Sequence, residues 1–250
     1  MPESTPLSPL PVLPAYFSDE ESRRRRVGAM FDATARHYDW ITSVMSFGSG
    51  RWYRRDALLR HGLAAGMRQL DVGAGTGVLA LTGQQIVGER GFAVALDPSQ
   101  PMLDIARRSG VRCVLPGRGE ALPCADASFD FLSMGYALRH VRDLHGTFRE
   151  YARVLEPGGR LLLLEITRPP GRLARAALKF YLKRVVPTVA LVFRRSAQTR
   201  TLMRFYWDTI EHCVPPATIL EALRGAGFVD IHRHVTLGIF SEYVARRGPA

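Results

Sequence analysis

A glycine-rich stretch, Gln69–Val78, constrains the fold of this chain more than any other part of the sequence. It reads Gln-Leu-Asp-Val-Gly-Ala-Gly-Thr-Gly-Val, so Asp71 falls near the end of a predicted strand and Gly73, Gly75 and Gly77 lead into a predicted helix. Glycines suit a turn that needs positive φ and that lets a ligand approach bare backbone. Free amides at the start of the helix favour an anionic or polar group. The stretch therefore predicts a nucleotide-type site at the end of a strand.

A carboxylate follows the glycine turn at the spacing expected for a ribose contact. Asp97 lies 20 positions after Gly77, at the end of the next apolar run. At the tip of the neighbouring strand it can accept hydrogen bonds from ribose hydroxyls. A dinucleotide site would place its third glycine at position 78, where the chain has Val78. The pattern acidic-x-Gly-x-Gly-x-Gly instead resembles motif I of class I S-adenosylmethionine (SAM) methyltransferases, which predicts SAM as the cofactor.

Short apolar runs alternate with helical segments from residue 68 onward. Strands are predicted at 68–72, 92–96, 111–115, 129–134 and 160–166, and helices at 77–87, 99–109, 143–155 and 217–226. Phe228–Arg233 and Ile239–Ala245 are predicted as a final hairpin with one antiparallel strand. This alternation predicts an α/β fold with a doubly wound, mostly parallel seven-stranded sheet of Rossmann-like type. Ligands bind at the carboxyl ends of the strands in such a sheet.

The length of 250 residues favours one domain with an appendage. Residues 1–17 carry prolines at positions 2, 6, 9, 11 and 14, which predicts a disordered or extended tail. Ser18 and Glu21 have the spacing of a capping box, which predicts the start of an N-terminal helical segment. We therefore expect a single domain over residues 18–250, with a helical lid at about 168–213.

Composition restricts the compartment and the kind of site. The sequence has no apolar run of about 18 residues, which argues against a transmembrane helix, and its N-terminus does not resemble a secretory signal. Its three cysteines are scattered without metal spacing, which fits a reducing compartment and predicts no metal site. We expect a cytoplasmic protein, with the membrane periphery as a further option.

The net charge of +11 comes largely from one segment. Residues 168–207 contain ten Lys/Arg and no Asp/Glu. Helical spacing places Arg172, Arg175, Lys179 and Lys183 on one side, opposite Leu178, Tyr181, Leu182 and Val185, and Pro187 is predicted to end or kink the helix. Two compatible interpretations result: a lid whose apolar side covers the active site, and an element over residues 172–204 that contacts an anionic membrane surface.

Several stretches together resemble the ubiquinone/menaquinone C-methyltransferases, from about residue 27 to 246. They are Phe31…Tyr38-Asp39, Met45-Ser-Phe-Gly48, Leu70–Gly77, Glu120-Ala-Leu-Pro123, Ser128-Phe-Asp130, Ala137-Leu-Arg-His-Val141, Arg153–Arg160, Leu164-Glu165 and Ala226-Gly-Phe228. The chain departs from the family at His140, where Asn is usual, near Arg118, where Asp or Asn would face the adenine, and at Cys124, where Phe is preferred.

The resemblance implies a set of cofactor contacts besides the glycine turn. The N-terminal segment of the family folds over the cofactor, which implies a role for Tyr38 and its neighbour Asp39. Together with the turn and the second strand, the implied cofactor residues are Tyr38, Asp71, Gly73, Gly75, Gly77, Asp97, Pro98, Gly119 and Glu120.

The chemistry of SAM indicates what the remaining residues must do. Its sulfonium already makes the methyl group electrophilic. The enzyme must therefore align a nucleophile with the methyl group and remove the protons that the nucleophile loses. His140, on the loop after the fourth strand, is the predicted base because an unperturbed imidazole takes up protons near pH 6.5. Arg139 is predicted to stabilise a developing phenolate. The alternative is that both are polar residues of a strand-to-helix loop.

The predicted function is SAM-dependent C-methylation of a polyprenylated quinol or benzoquinol at a membrane surface. C- or O-methylation of a soluble aromatic metabolite is the nearest alternative, since His140 replaces the usual Asn. An RNA-modifying or nucleic-acid-binding protein is a distant one, because the basic segment lacks interleaved aromatics. We expect no nucleic-acid partner, and the sequence leaves a homodimer open.

Overall fold

A computed structural model describes residues 6–45, 48–194 and 198–249 of the chain. Within these ranges it leaves out the side chains of residues 24, 36–38, 41, 45, 193–194 and 198–199. Ser46 and Phe47 of the Met-Ser-Phe-Gly motif therefore lie outside the described residues.

Seven strands form a single sheet in the described part of the chain. They are β1 (Arg68–Val72), β2 (Phe92–Asp97), β3 (Cys113–Pro116), β4 (Phe129–Gly135), β5 (Leu155–Ile166), β6 (Phe228–Thr236) and β7 (Phe240–Arg247). Their spatial order is β3-β2-β1-β4-β5-β7-β6, and β7 runs antiparallel to both of its neighbours. The prediction of a mostly parallel, doubly wound sheet that ends in a hairpin is confirmed.

The described helices flank this sheet and form the segments before β1 and after β5. They are α1 (Glu20–Met45), α2 (Gly50–Arg60), α3 (Val78–Val87), α4 (Gln100–Arg108), α5 (Leu144–Val154), α6 (Arg172–Phe180), α7 (Val186–Arg194), α8 (Gln198–His212) and α9 (Pro216–Gly225). A 3₁₀ turn covers Leu138–His140, and a π-helical turn covers Tyr181–Val185. Among the described residues, no helix combines the length and the apolar character that a bilayer crossing needs.

The central strands are apolar throughout because helices cover both faces of the sheet. On one face Leu70, Leu132 and Leu163 pack with α5 and α9. On the other face Phe131 and Leu162 pack with α2 and α3. This arrangement leaves the carboxyl ends of β1, β2, β4 and β5 as one edge on which polar side chains can meet.

Strand β5 begins five residues before its predicted start. Its first residue, Leu155, pairs with Phe129, and Arg160 pairs with Phe131, so Pro157–Gly159 forms an irregularity within one long strand. The sequence predicts a tight turn there because Pro-Gly-Gly is typical of turns. The structure accommodates the same residues as a bulge, with Gly158 at a φ of 78°.

The cap of α1 lies one residue later than predicted. The Ser22 amide donates to Asp19 Oδ1 at 2.7 Å, and the Asp19 amide donates to Ser22 Oγ at 3.2 Å. This reciprocal pair is a capping box formed by Asp19 and Ser22, so the predicted pair of Ser18 and Glu21 is wrong. Glu21 instead pairs with Arg25 one turn along the helix.

The prediction for residues 1–17 is a disordered or extended tail. Residues 6–17, which we name the N-terminal strap, have neither helix nor strand and pack against the domain, and residues 1–5 lie outside the described part of the chain. The Leu7 amide donates to Asp143 Oδ1 at 2.8 Å, and the Val214 amide donates to the Pro9 carbonyl at 2.9 Å. Leu10 and Phe17 are buried. The prolines correctly indicate that residues 6–17 lack regular secondary structure, but the apolar residues between them pack against the domain.

The segment after β5 is helical, and we name it the lid after its predicted role; the side that it buries changes in its middle. Leu178, Tyr181 and Leu182 pack inward with residues of α1 and α8, as predicted, whereas Val185 is exposed. The π-helical turn adds residues to one turn and rotates α7 relative to α6, which a constant period of 3.6 cannot anticipate. It ends directly before α7, where Pro187 lacks the amide proton that a continuous α-helix would need.

The buried guanidinium of Arg23 holds the strap in place, which predicts a large effect of its removal. Its nitrogens donate to the Leu10 carbonyl at 2.6 Å and to the Val141 carbonyl at 3.2 Å. Arg23→Ala leaves both carbonyls buried without a partner and should lower the free energy of unfolding in urea by about 2–3 kcal/mol.

Arg25→Ala is the matched control for this variant, because the Arg25 side chain is 66% exposed in its pair with Glu21. We expect a loss of less than about 0.5 kcal/mol there. Equal losses for the two variants would contradict the anchoring role of Arg23.

Candidate active site

The glycine turn after β1 has the predicted conformation. Gly73, Gly75 and Gly77 have φ values of 66°, 55° and 81°. A Cβ atom added to Gly73 would lie 2.6 Å from the Ala137 Cβ, and one added to Gly77 would lie 2.8 Å from the Ala106 Cβ. One added to Gly75 would meet nothing within 4 Å. Gly73 and Gly77 therefore allow close packing, while the backbone at Gly75 is open to a ligand.

A cavity lies in front of this turn and is closed from the other side by the first two helices. Its lining combines glycine backbone with three charged side chains. The lining residues are Asp39, Thr42, Arg54, Asp71, Gly73, Ala74, Gly75, Thr76, Val78, Leu79, Gly135 and Tyr136. Asp39 and Thr42 come from α1 and Arg54 from α2.

Asp71 is buried at the wall of the cavity with one oxygen unpaired. Its Oδ1 accepts a hydrogen bond from Ser133 Oγ at 2.7 Å, and Ser133 in turn accepts one from Gln69 Nε2 at 2.9 Å. Its Oδ2 has no hydrogen-bond partner among the described residues. Burial raises the pKa of Asp71 to about 7, against the opposing effect of the Ser133 hydrogen bond. A buried carboxylate oxygen of this kind suits an ammonium group.

Asp97 joins the glycine turn to the next helix. Its Oδ2 accepts from the Gly75 amide at 2.8 Å, and its Oδ1 accepts from the Ser99 amide at 2.8 Å. Ser99 Oγ in turn caps α4 by accepting from the Met102 amide. Burial raises the pKa of Asp97. Each carboxylate oxygen has a second lone pair for a hydroxyl group, which fits the predicted ribose contact.

The sequence does not predict the roles of two residues of the cavity wall, Thr76 and Arg54. Thr76 Oγ1 donates a short hydrogen bond to Asp39 and so ties the glycine turn to α1. Arg54 places its guanidinium 5.1 Å from the centre of the Tyr136 ring. The sequence gives no reason to choose Arg54 over its neighbours Arg51 and Arg55, which are exposed.

Asp97 and Gly77 are not among the residues that line this cavity, and neither are the other four predicted cofactor residues. Gly119 is buried beside Tyr151, whose hydroxyl would lie 2.8 Å from an added Cβ, and Glu120 Oε1 accepts from the Arg142 amide at 2.8 Å. Pro98 directly follows β2, at the same sheet edge as Asp97. Tyr38 lies on α1, with its side chain outside the described part of the chain. Cofactor contacts of these four residues remain predictions.

Arg139 lies in a buried ion pair at the carboxyl ends of β4 and β5. Its Nη1 donates to Glu165 Oε2 at 2.7 Å, and the guanidinium lies 4.9 Å from the centre of the Tyr206 ring. Burial opposes the charge, but the adjacent Glu165 holds the pKa of Arg139 above its ordinary value. Its Nε and Nη2 are buried without a hydrogen-bond partner among the described residues. Arg139 therefore carries a fixed positive charge with unused donors.

His140 occupies an aromatic enclosure. Its ring lies 5.3 Å from that of Phe31, edge to face, and is stacked 6.0 Å from that of Phe205. Burial, together with the charges of Arg139 and Arg23, lowers the pKa of His140 to about 3. The ring is therefore neutral at pH 7, and the unperturbed value used for the sequence prediction does not apply. A base of such low pKa accepts protons poorly.

The raised pKa of Asp71 predicts a pH dependence of stability. The folded state keeps the proton up to about pH 7, whereas the unfolded carboxyl loses it near its ordinary value of 3.8. Raising the pH through this window therefore favours unfolding, by up to about 4 kcal/mol from this group. Asp71→Asn removes this contribution, so its stability relative to the wild type should increase from pH 4 to pH 7 and then stay level.

Urea unfolding of both proteins at several pH values measures this difference. Glu89→Gln controls for the loss of one negative charge, because Glu89 is exposed. A difference between Asp71→Asn and wild type that stays constant from pH 4 to pH 7 would show that Asp71 is ionised in the folded protein throughout.

Comparison with known proteins agrees with this site. Residues 19–247 match the ubiE/COQ5 methyltransferase family. The ubiquinone/menaquinone biosynthesis C-methyltransferase UbiE of Saccharophagus degradans is 30% identical over 227 residues, which is 88% of this chain and 90% of that protein. The demethylmenaquinone methyltransferase of Mycobacterium sp. (strain KMS) is 33% identical over 224 residues, covering 89% and 94% of the two chains.

A solved structure confirms the fold independently. The SAM-dependent methyltransferase of Mesorhizobium loti superimposes with a TM-score of 0.56 at 21% identity, covering 80% of this chain and 99% of that one. The residues of the cavity also fit the cofactor of the family, since the open backbone of Gly75 and an unpaired buried oxygen of Asp71 line it, and Asp97 at the tip of β2 accepts from the Gly75 amide beside it. The chain therefore belongs to the ubiE/COQ5 methyltransferase family and is a SAM-dependent methyltransferase.

Proposed function

We propose that this enzyme methylates a ring carbon of a prenylated quinol of the ubiquinone or menaquinone type. The names of the relatives support this substrate class. The observation that carries the proposal is the buried guanidinium of Arg139, whose Nε and Nη2 have no partner among the described residues. A hydroquinone oxygen is a small anion-forming group that such donors fit.

Arg139 acts on the acceptor by stabilising its phenolate form. Glu165 fixes one side of the guanidinium at 2.7 Å, so the remaining donors keep their direction when the ring oxygen arrives. Their charge lowers the pKa of the ring hydroxyl, and the loss of its proton raises the electron density at the adjacent ring carbon. When bound, the sulfonium of SAM supplies the electrophilic methyl group. The chain has to hold the ring carbon in line with that methyl group. The phenolic proton passes to solvent before the transfer, and the ring proton of the methylated carbon passes to solvent after it, which restores the aromatic ring.

His140 has a packing role in this proposal. With Phe31 and Phe205 it forms an apolar wall that suits a flat ring. The strap covers this wall from outside, because Tyr16 and Phe17 pack on Phe205 at ring distances of 5.3 and 5.7 Å. Exclusion of water strengthens the interaction of Arg139 with a ring oxygen.

We also infer that the lid docks on the surface of an anionic bilayer, where a prenylated substrate resides. Its outer side carries large exposed apolar side chains, with exposed fractions of 88% for Leu173, 63% for Phe180 and 67% for Val192. Exposed basic residues accompany them, at Arg172, Lys179 and Arg184. Apolar and basic groups on one helical segment are typical of membrane-surface elements. The proposal needs no nucleic acid, and homodimerisation stays a prediction.

Not every residue of the predicted basic stripe is available to lipid. Lys183 Nζ lies 2.7 Å from Asp208 Oδ1, and Arg175 pairs with Glu211. Leu182, on the side of the helix opposite the basic stripe, is buried in the lid core and is not available to lipid either. Lipid contacts are therefore expected from Lys179 and Arg184 and not from Lys183.

Methyl transfer from labelled SAM to reduced quinols tests the proposed reaction. The purified enzyme should convert a prenylated hydroquinone or naphthohydroquinol that lacks one ring methyl into a product with the label on carbon, as detected by mass spectrometry. Arg139→Lys keeps the charge beside Glu165 but not the geometry of the donors, and kcat should fall by about 100- to 1,000-fold.

Arg142→Gln is the control, because Arg142 is exposed two residues beyond His140. Its kcat should stay within about twofold of wild type, and all variants should melt within a few degrees of one another. Labelling of oxygen only, or of soluble phenols but no prenylated quinol, would contradict the proposed function. An unchanged kcat for Arg139→Lys would remove Arg139 from the mechanism.

Co-sedimentation with vesicles tests the lid surface. Phe180→Glu and Val192→Glu should each weaken binding to anionic vesicles by about tenfold, and Lys179→Gln with Arg184→Gln should do so by at least about fivefold at low salt. Val229→Glu is the matched control, because Val229 is 43% exposed near the start of β6, away from the lid.

Neutral vesicles separate the two contributions, since the basic residues should matter only on anionic lipid. Equal effects of Val192→Glu and Val229→Glu would contradict the docking surface. Absence of wild-type binding to anionic vesicles at low salt would also contradict the docking surface.

A further inference from the structure

The N-terminal strap lies outside the part of the chain that matches the family. That match begins at residue 19, whereas the strap covers residues 6–17, so the family resemblance gives the strap no role. The strap nevertheless contacts two parts of the acceptor side, the loop after β4 and the lid helix α8. It is therefore placed where it can join the two.

The first half of the strap is held at the loop after β4. The Leu144 amide donates to the Leu7 carbonyl at 2.9 Å. Arg23, whose side chain is only 4% exposed, donates to the carbonyl of Leu10 in the strap and to that of Val141, which directly follows the 3₁₀ turn. One buried guanidinium thus binds the strap and the loop at the same time.

The second half of the strap is held on α8. The Tyr16 hydroxyl donates to Asp208 Oδ2 at 2.6 Å, and the Tyr16 ring packs on Phe205 at 5.3 Å. Phe205 and Asp208 are three positions apart, on the same side of the helix. The other carboxylate oxygen of Asp208 accepts from Lys183 Nζ at 2.7 Å. Burial raises the pKa of Tyr16, and the bond to Asp208 raises it further, so the hydroxyl stays a donor.

Helix α8 in turn covers Arg139. Tyr206, the neighbour of Phe205 in the sequence, is buried in the lid core, and the centre of its ring lies 4.9 Å from the guanidinium. Glu165 holds the same guanidinium from β5 at 2.7 Å. A shift of α8 therefore displaces one of the two groups that fix the direction of the remaining donors of Arg139.

We propose that the strap is a clamp that positions Arg139 for the acceptor. It joins the loop that carries Arg139 to the helix that covers it, with Arg23 and Tyr16 as positioning residues at its two ends. This role rests on the proposed function, in which Arg139 binds the acceptor oxygen. None of the described residues that line the cofactor cavity belongs to the strap. Loosening the clamp should therefore affect the acceptor and not the cofactor.

Tyr16→Phe tests the clamp, because it removes the hydrogen bond to Asp208 and keeps the ring on Phe205. With a prenylated hydroquinone that lacks one ring methyl, kcat at pH 7 should fall by about tenfold, since a displacement of about 1 Å can cost about 100-fold. A misplaced Arg139 lowers the pKa of the ring hydroxyl less, so the pH of half-maximal kcat should rise by about one unit. The Kd of S-adenosylhomocysteine, measured by calorimetry, should stay within about twofold.

Asp208→Ala removes the same hydrogen bond from the other side. The double variant should lie within about twofold of Asp208→Ala in kcat, because residues that act through one bond are not additive. Ser8→Ala is the matched control, since it removes a strap hydroxyl whose bond, to the Leu10 carbonyl at 2.7 Å, stays within the strap. It should leave kcat and Kd within about twofold of wild type and the pH profile unchanged.

Melting temperatures establish that each variant is folded. A Tyr16→Phe enzyme that melts lower but keeps the kcat and the pH profile of an active wild type would overturn the clamp, because the strap would then only stabilise the fold. Parallel losses of kcat and of affinity for S-adenosylhomocysteine would overturn it as well. A wild type that methylates no prenylated quinol would overturn the proposed function, and the clamp with it.

Discussion

The buried pair of Arg139 and Glu165 is the interaction on which both halves of the candidate active site depend. Glu165 lies at the end of β5 and accepts from the Leu138 amide at 2.9 Å and from Arg139 Nη1 at 2.7 Å. It thereby fixes the loop after β4, while the guanidinium supports Tyr206 of the lid. Desolvation of two charges is unfavourable unless both are well paired, and removal of one partner of such a pair typically destabilises by about 3–5 kcal/mol. The pair therefore fixes the loop after β4 and the ring of Tyr206, in addition to its effect on the stability of the fold.

The loop after β4 connects the donor and acceptor sides over a few residues. Gly135 and Tyr136 line the cofactor cavity, and Leu138–His140 form the 3₁₀ turn beside the lid. A methyl group carried in the cavity and a ring held by Arg139 would thus meet at one sheet edge. The proximity of two bound partners, not acid or base strength, is the main contribution such a site can make. The depressed pKa of His140 agrees with this view.

The parts of the fold that depend on local pattern could be predicted from the sequence. Apolar runs between turns indicated the strands, and the glycine spacing with Asp97 located the cofactor turn, because each signal lies within a few residues. The features that the sequence does not predict depend on where distant parts of the fold are placed. The strap is held by Arg23 and by Asp143, of which Asp143 lies 136 positions from Leu7, and Arg54 differs from Arg51 and Arg55 only by where α2 is placed. Likewise the pKa of His140 results from its burial, which the loop sequence does not reveal.

Binding of the acceptor ring as a phenolate, by Arg139 and next to the methyl donor, is the central feature of the proposed mechanism. The ultraviolet difference spectrum of a redox-inert phenol analogue, bound to the enzyme with S-adenosylhomocysteine at pH 7, tests it directly. We expect the absorption of a phenolate, which shifts back to that of the neutral phenol in Arg139→Lys. A bound phenol that stays neutral in the wild type, at saturating enzyme, would contradict it.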